Sequence, residues 1–298
     1  MTEVAQILEA LDDLMDRIEL VKADVANLRG QAAAAAPGVR SVSRSAPTPH
    51  ELPNVIPPTQ TDDPDSIVGG TRARRGEFPD CCAVGNDFSY YCSGTLIAPN
   101  VVVTAGHCKH VTRVFLNGND INRPDRAEVI NVKKGKDGKL LDFRHEDPAV
   151  DLRALVLEED SKVTPCPIAR ESEIEGVEEV MLVGFGTIDL AGTVGYGVKR
   201  KVKVPLETFD CTDAGVADLF GCREDYEIVA GHRGLQRDSC RGDSGGPLYI
   251  EAEEGGYLLL GATSRGTKGS STPCGNGGIY VRVDKFRDWI EEVTGVEL

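Results

Sequence analysis

The sequence predicts an all-β protein whose helical segments are confined to its two ends. Three observations carry that expectation. Short apolar runs recur between residues 82 and 283, clusters of Gly and Pro separate them, and apolar residues at helical spacing occur only near the two termini. With 33 glycines and 16 prolines in 298 residues, turns are plentiful. Such a pattern fits a barrel or a sandwich of short strands.

The chain begins differently. Val4, Ile7, Leu11, Leu14, Ile18, Val21, Val25 and Leu28 alternate spacings of three and four. That is a coiled-coil seam, on a helix about 42 Å long at 1.5 Å per residue. Leu8 and Met15 widen the stripe, which points to more than two strands. The apolar face of 1–29 has no partner inside the segment. It must bury against a copy of itself, another protein or the rest of this chain. From 30 to 66 a run of alanines gives way to prolines at 37, 47, 49, 53, 57, 58 and 64, with Ser and Thr between them. Too little there is apolar to pack, so the stretch reads as a flexible, partly extended linker.

Residues 67–298 form the third part. Strands are expected at 82–85, 93–97, 101–104, 111–116, 127–132, 152–157, 180–184, 198–204, 247–250, 257–263 and 278–283. The final segment, 284–293, sets Phe286, Trp289, Ile290 and Val293 at helical spacing, with Trp289 as a packing residue.

Composition narrows the function. The net charge of −15 repels phosphate backbones and anionic lipid, which argues against nucleic-acid or membrane-surface partners. No apolar run of membrane-spanning length occurs. Nine cysteines suggest an oxidising destination, extracellular or periplasmic. Residues 1–28 nevertheless mix acids throughout and lack the basic start and apolar stretch of a secretory signal.

The chemistry concentrates in Asp238 to Pro247, DSCRGDSGGP. A serine hydroxyl attacks a carbonyl only with a base beside it and donors for the oxyanion. Glycines at 242, 245 and 246 let the backbone turn tightly and approach a substrate. Upstream, TAGHC places His107 beside Cys108, and Asp151 opens the apolar run DLRALVL. Taken with IVGG at 67–70, the order of these four motifs resembles the chymotrypsin/trypsin family of serine peptidases. The resemblance covers residues 67 to 298.

That resemblance implies two six-stranded Greek-key β-barrels, an active site in the cleft between them and a C-terminal helix. It implies Ser244 as nucleophile, His107 as general base and acid, and Asp151 as the group that orients the imidazole. The backbone N–H groups of Gly242 and Ser244 would form the oxyanion hole. Asp238, six residues before the serine, would floor the specificity pocket and select Arg or Lys. Ser264, Arg265, Gly266 and Gly278 would line the substrate cleft. Arg265 departs from the family pattern, because a tryptophan usually stands there. A cation at that place favours acidic residues upstream of the cut, or else folds back on Asp238 and weakens the pocket.

The resemblance also implies a zymogen. Cleavage before Ile67 would free an α-amino group that pairs with Asp243. The residue before Ile67 is Ser66, not Arg or Lys, so activation calls for a different protease or an unusual scheme. Bridges Cys92–Cys108 and Cys240–Cys274 follow from the family. Cys211–Cys222 is a further pair, although Val229 occupies the family's usual second position. Cys81, Cys82 and Cys166 remain, and one of them must stay unpaired or join another chain. No His cluster accompanies Cys81 and Cys82, so no metal site is expected there, and no cofactor is called for. The Asp- and Asn-rich loop 117–128 reads as a solvated turn or a calcium site. A non-enzymatic binding protein on the same fold is the alternative function.

Overall fold

The computed structural model describes residues 68–124 and 126–298. The expected coiled-coil helix 1–29, the linker 30–66 and Ile67 lie outside the described residues.

The regular structure of the described residues is mostly β and forms two antiparallel sheets, each curled on itself. The first contains β2 (Cys81–Gly85), β3 (Tyr90–Ala98), β4 (Val101–Thr104), β5 (Arg113–Leu116), β6 (Glu128–Asn131), β7 (Asp142–Arg144) and β8 (Arg153–Val156). Their order is β6-β5-β2-β3-β4-β8-β7, and a bridge between Val132 and Leu157 closes the ring. The second contains β9 (Glu179–Gly184), β10 (Arg200–Thr208), β11 (Glu227–Ala230), β12 (Pro247–Glu251), β13 (Tyr257–Gly266) and β14 (Gly278–Arg282). It runs β10-β11-β14-β13-β12-β9 and closes where β9 pairs with β10. The two-residue β1 (Thr71–Arg72) lies on the edge of β10. Each sheet is thus a six-stranded barrel with one short extra strand, β7 in the first and β1 in the second.

Several strands read as unbroken apolar runs rather than alternating ones, and the packing shows why. Side chains on a strand point alternately to opposite faces. Cys82, Val84, Val102 and Leu155 fill the interior of the first barrel. Their neighbours Cys81, Ala83, Val101, Val103 and Ala154 face outward but join a second cluster. That cluster also holds Met181, Val183, Tyr249, Leu259 and Val281 from the other barrel. The second barrel repeats the arrangement, with Val180, Leu182, Leu248, Ile250 and Tyr280 inside. Both faces of these strands are therefore buried, one in a barrel and one between barrels. The seam between the barrels is where a cleft can form.

The C-terminal helix is preceded by a 3-10 turn at Asp284–Phe286. Helix α2 (Arg287–Thr294) buries Ile290 and ends at Gly295, whose φ of 71° suits the left-handed cap. Trp289 is partly buried against the inter-barrel core, as a packing residue.

The structure corrects several boundaries. The strand expected at 198–204 begins at Arg200 and runs to Thr208. The strand expected at 111–116 begins at Arg113, after a left-handed turn at His110 with φ 59°. Strands β1, β7 and β11 and helix α1 (Ala214–Phe220) are not among the expected elements. The α1 helix is only two turns long, capped by the Asp213 carboxylate on Val216 N at 2.9 Å and by Gly221. It is too short to show a periodic stripe.

Candidate active site

β4 and β8 are antiparallel neighbours, with Thr104 opposite Arg153. The chain leaving β4 and the chain entering β8 therefore meet at one rim of the first barrel. This brings His107 beside Asp151 across 44 residues of sequence. Asp151 Oδ1 accepts the His107 amide at 2.8 Å, and Oδ2 accepts His107 Nδ1 at 2.8 Å. A carboxylate can only accept, so the Nδ1 proton is fixed and Nε2 of a neutral imidazole is left to receive one. The Ser264 hydroxyl, from the second barrel, donates to the same Oδ2 at 2.7 Å. Burial pushes the Asp151 carboxyl up, but the bonds and charge of His107 and the Ser264 hydroxyl hold it below its ordinary value. Asp151 thus stays ionised and ties the two barrels together. Arg153 braces the histidine turn, donating to Gly106 O at 3.1 Å while it pairs with Asp142.

Ser244 sits in the tight turn that enters β12. Gly242 has φ 97° and Gly245 φ 77°, and both are packed too closely for a side chain. A Cβ on Gly242 would lie 2.5 Å from the Tyr196 ring, and one on Gly245 would lie 2.1 Å from the Thr104 hydroxyl. The second contact presses the serine turn against the end of β4, just before His107. Within this turn the N–H groups of Asp243, Gly245 and Gly246 are all hydrogen-bonded to carbonyls. Those of Gly242 and Ser244 have no partner among the described residues. Two unsatisfied donors therefore flank the serine, which is the arrangement that stabilises a developing oxyanion. No hydrogen bond joins the Ser244 hydroxyl to His107 among the described residues. Such bonds are commonly long without substrate and tighten when it arrives.

Ser93 is a site residue that the sequence did not reveal. Its N–H donates to Ser244 O at 2.8 Å. Its buried hydroxyl donates to Gly242 O at 2.9 Å and accepts from Phe185 N at 3.1 Å. Both ends of the turn that carries the free donors are thereby held from the first barrel. In the sequence Ser93 is one small residue after Cys92, with no signal of its own.

Asp243 is fully buried. Its carboxylate accepts from Gly186 N at 2.7 Å and Cys240 N at 2.8 Å. Burial pushes it up to about 6, against the pull of those bonds and of the Arg200 charge. A Cβ on Gly186 would lie 2.5 Å from this carboxylate, so the chain must be glycine there.

Asp238 is buried as well. Its carboxylate accepts from Gly275 N at 3.2 Å and from the Ser239 hydroxyl at 3.4 Å. No cation pairs with it among the described residues. Burial dominates and pushes it up to about 7. A Cβ on Gly278 would meet the Tyr280 hydroxyl at 2.8 Å, so a side chain there would crowd Tyr280. At Gly266 a Cβ would meet nothing within 4 Å, so that wall is open.

Arg265 does not fold back on Asp238. It makes a two-pronged ion pair with Glu227, at 2.6 and 2.7 Å, and donates to Gly221 O at 3.1 Å. Glu227 is completely buried and also pairs with Arg223 at 3.2 Å. Arg223 in turn donates to Ala149 O at 3.0 Å, two residues before Asp151. The expected tryptophan wall is thus an Arg–Glu–Arg cluster. A buried carboxylate on β11 draws the guanidinium away from the pocket floor, because pairing it there relieves the larger desolvation cost.

Disulfides join Cys92 to Cys108, Cys240 to Cys274 and Cys211 to Cys222. The first clamps β3 to the histidine turn and the second closes the loop around Asp238. Cys211–Cys222 packs on Val229, which explains how the bridge survives with its second cysteine displaced. Cys81, Cys82 and Cys166 are buried thiols, so none is placed to join another chain. Burial pushes the Cys81 thiol up to about 12, where it is unreactive.

A profile of the Trypsin family matches residues 67–290. Transmembrane protease serine 9 of Rattus norvegicus is 30% identical over 243 residues, covering 76% of this chain and 22% of that protein. Serine protease filzig of Drosophila melanogaster is 29% identical over 293 residues, covering 87% of this chain and 16% of that protein. The chain spans about a fifth of the length of these relatives. Two closed barrels, a histidine held by a carboxylate on one rim, a glycine-locked serine turn on the other and a profile match over well over half the sequence lead to one conclusion: the chain belongs to the trypsin family of serine peptidases.

Proposed function

We propose that the chain is a serine endopeptidase that cuts after Arg or Lys through an acyl-enzyme intermediate. The observation that carries this reading is that the N–H groups of Gly242 and Ser244 have no partner among the described residues, together with a histidine whose Nδ1 is held by Asp151. In this mechanism Ser244 Oγ attacks the scissile carbonyl while His107 Nε2 takes its proton. Asp151 stabilises the imidazolium, and the carbonyl oxygen, now negative, is held by the two free N–H groups. His107 then gives the proton to the leaving amine, and water repeats the sequence on the acyl-enzyme. Loss of one oxyanion donor costs about 2.7–4 kcal/mol in such sites.

Asp238 supports Arg or Lys as the recognised residue. A buried carboxylate without a counter-ion gains most from a ligand that brings a cation. Upstream of the cut, Arg223 and Arg265 share a single carboxylate and keep one net positive charge, which favours acidic residues there.

Activation by cleavage before Ile67 fits Asp243, whose buried carboxylate holds two backbone donors and would gain a cation from a new α-amino group. With Ser66 before the cut, the activator is a protease of different specificity. The first cysteine of the chain is Cys81, so no disulfide would retain residues 1–66 after cleavage. In this reading 1–29 is an oligomerisation or docking helix, 30–66 its linker and 67–298 the peptidase. Three disulfides favour an oxidising compartment. No helix among the described residues is long and apolar enough to cross a membrane.

The test is chemical. Protein matured at Ile67 should hydrolyse an arginine ester and take up an organophosphate at Ser244, and Ser244→Ala should lose both. A matured protein that does neither is a binding protein on a peptidase fold.

A further inference from the structure

We infer that a second site, away from the triad, binds an acidic segment of a protein substrate. It is a cavity of about 600 Å³ whose walls carry Arg72, Arg75, Arg123 and Arg126. Four arginines line it in a chain of net charge −15, so the cluster is not a general property of the surface.

The walls are pre-formed. One is the segment after β1, and another is the loop between β5 and β6. Asn119 Nδ2 ties the two together, donating to Ala73 O at 2.8 Å and to Arg74 O at 2.9 Å. The loop is fastened on its far side as well, by Lys199 N to Asn119 O at 2.7 Å and Ile121 N to Gly197 O at 2.9 Å. Asn117 and Arg126 lie at its two ends with φ of 56° and 61°; Asn adopts this left-handed backbone readily, whereas Arg does so at a cost that its surroundings must offset.

The described acids nearby are already engaged. Glu77 accepts from Arg74 N at 2.8 Å and pairs with Lys201. Glu128 turns away to the Ser161 hydroxyl at 2.8 Å and Lys162 N at 3.1 Å. Asp120, which also lines the cavity, accepts from Asn122 N at 2.9 Å and leaves the four arginines in excess by three charges. Arg75, Arg123 and Arg126 form no ion pair with a described residue. This is the loop that the sequence leaves as a solvated turn or a calcium site. It contributes Arg123 and Arg126 to the cavity.

The chemistry selects the ligand. Guanidinium forks match carboxylates two bonds at a time. A cavity of this volume exceeds one small oxyanion and falls in the range that takes drug-sized ligands. A run of Asp or Glu side chains supplies several carboxylates on one flexible chain. Bound there, it would raise the local concentration of the same substrate at the cleft. The proposal rests on the peptidase reading for its purpose but not for its test.

Full-length Ser244→Ala protein is titrated with fluorescent hexaglutamate. Binding should weaken at least about tenfold when Arg75, Arg123 and Arg126 are each changed to Glu, and should weaken with added salt. A thermal melt shows whether the triple variant folds, and in protein matured at Ile67 the same triple change on a Ser244 background should leave kcat/KM for a short arginine ester within about twofold. Should the triple variant not fold, Arg123→Ala alone must still weaken binding. Three results would overturn the inference: unchanged affinity after charge reversal, displacement of the peptide by benzamidine, or displacement by inorganic sulfate at equal concentration. Because the binding arm needs no catalysis, an inactive enzyme that still holds hexaglutamate would sink only the peptidase reading.

Discussion

Glu227 and Asp238 are both buried carboxylates on the second barrel, and their surroundings treat them in opposite ways. Glu227 is met by two guanidiniums, Arg223 and Arg265, and by the Arg223 amide at 2.7 Å. Asp238 is met by a backbone N–H and a serine hydroxyl, and by no described cation. Desolvating a carboxylate costs several kcal/mol, and only a close counter-ion with good geometry repays it. Glu227 is repaid within the fold and so serves structure. Asp238 is left short, and its deficit is what a cationic side chain would fill. The difference separates an ion pair that builds a wall from a lone charge that, in the proposed reading, would recognise a cationic ligand.

The largest expected effect breaks the Asp238 side of this comparison. In matured protein, Asp238→Ser should lower kcat/KM for arginyl peptides by about 10⁴-fold, the scale seen when a site built for a polar partner loses it. Its thermal stability should hold or rise, because an unpaired buried charge has been removed. A variant that keeps most of its activity would place Arg recognition elsewhere.

The next effect breaks the Glu227 side. Changing Arg223 and Arg265 together to Met strands the carboxylate and should destabilise the fold by about 3–5 kcal/mol. Urea denaturation measures this, and adding Glu227→Gln should restore much of the loss. If the double variant unfolds at the wild-type midpoint, the cluster has no structural role.

The mildest effect sharpens the comparison through pH. With the Asp238 carboxyl at about 7, its proton must leave before it can pair with a cation. Benzamidine affinity should fall about tenfold for each pH unit below 7. Stability of the free protein runs the other way. A carboxyl raised in the folded state binds more protons than in the unfolded state. Its contribution is therefore greatest at low pH and fades as pH rises from the ordinary carboxyl range through about 7. Thermal scans at pH 5 and 8, with and without benzamidine, should show the ligand stabilising mainly at pH 8. Equal ligand shifts at both would mean that Asp238 is ionised throughout.

Much of the site was legible because its chemistry is local. The glycines around Ser244, the small residue before His107 and the acid six places upstream of the serine are read off consecutive residues. The strands were legible to within a few positions where apolar runs meet Gly or Pro, as at 101–104. They were missed where a strand is short and half exposed, as in Asp142–Arg144, whose pattern carries no period.

The sequence by itself determined that this chain is a β protein of the trypsin family, with a serine, a histidine and two acids available for the work. Backbone needs such as left-handed glycines and buried periodic positions are written into single residues and their neighbours. Only the tertiary structure decided that Arg265 serves Glu227 rather than the pocket, that Ser93 fixes the serine turn and that four arginines share one cavity. Each of those outcomes depends on which charges and donors are brought together across long separations in the chain, and on which of them lose their water.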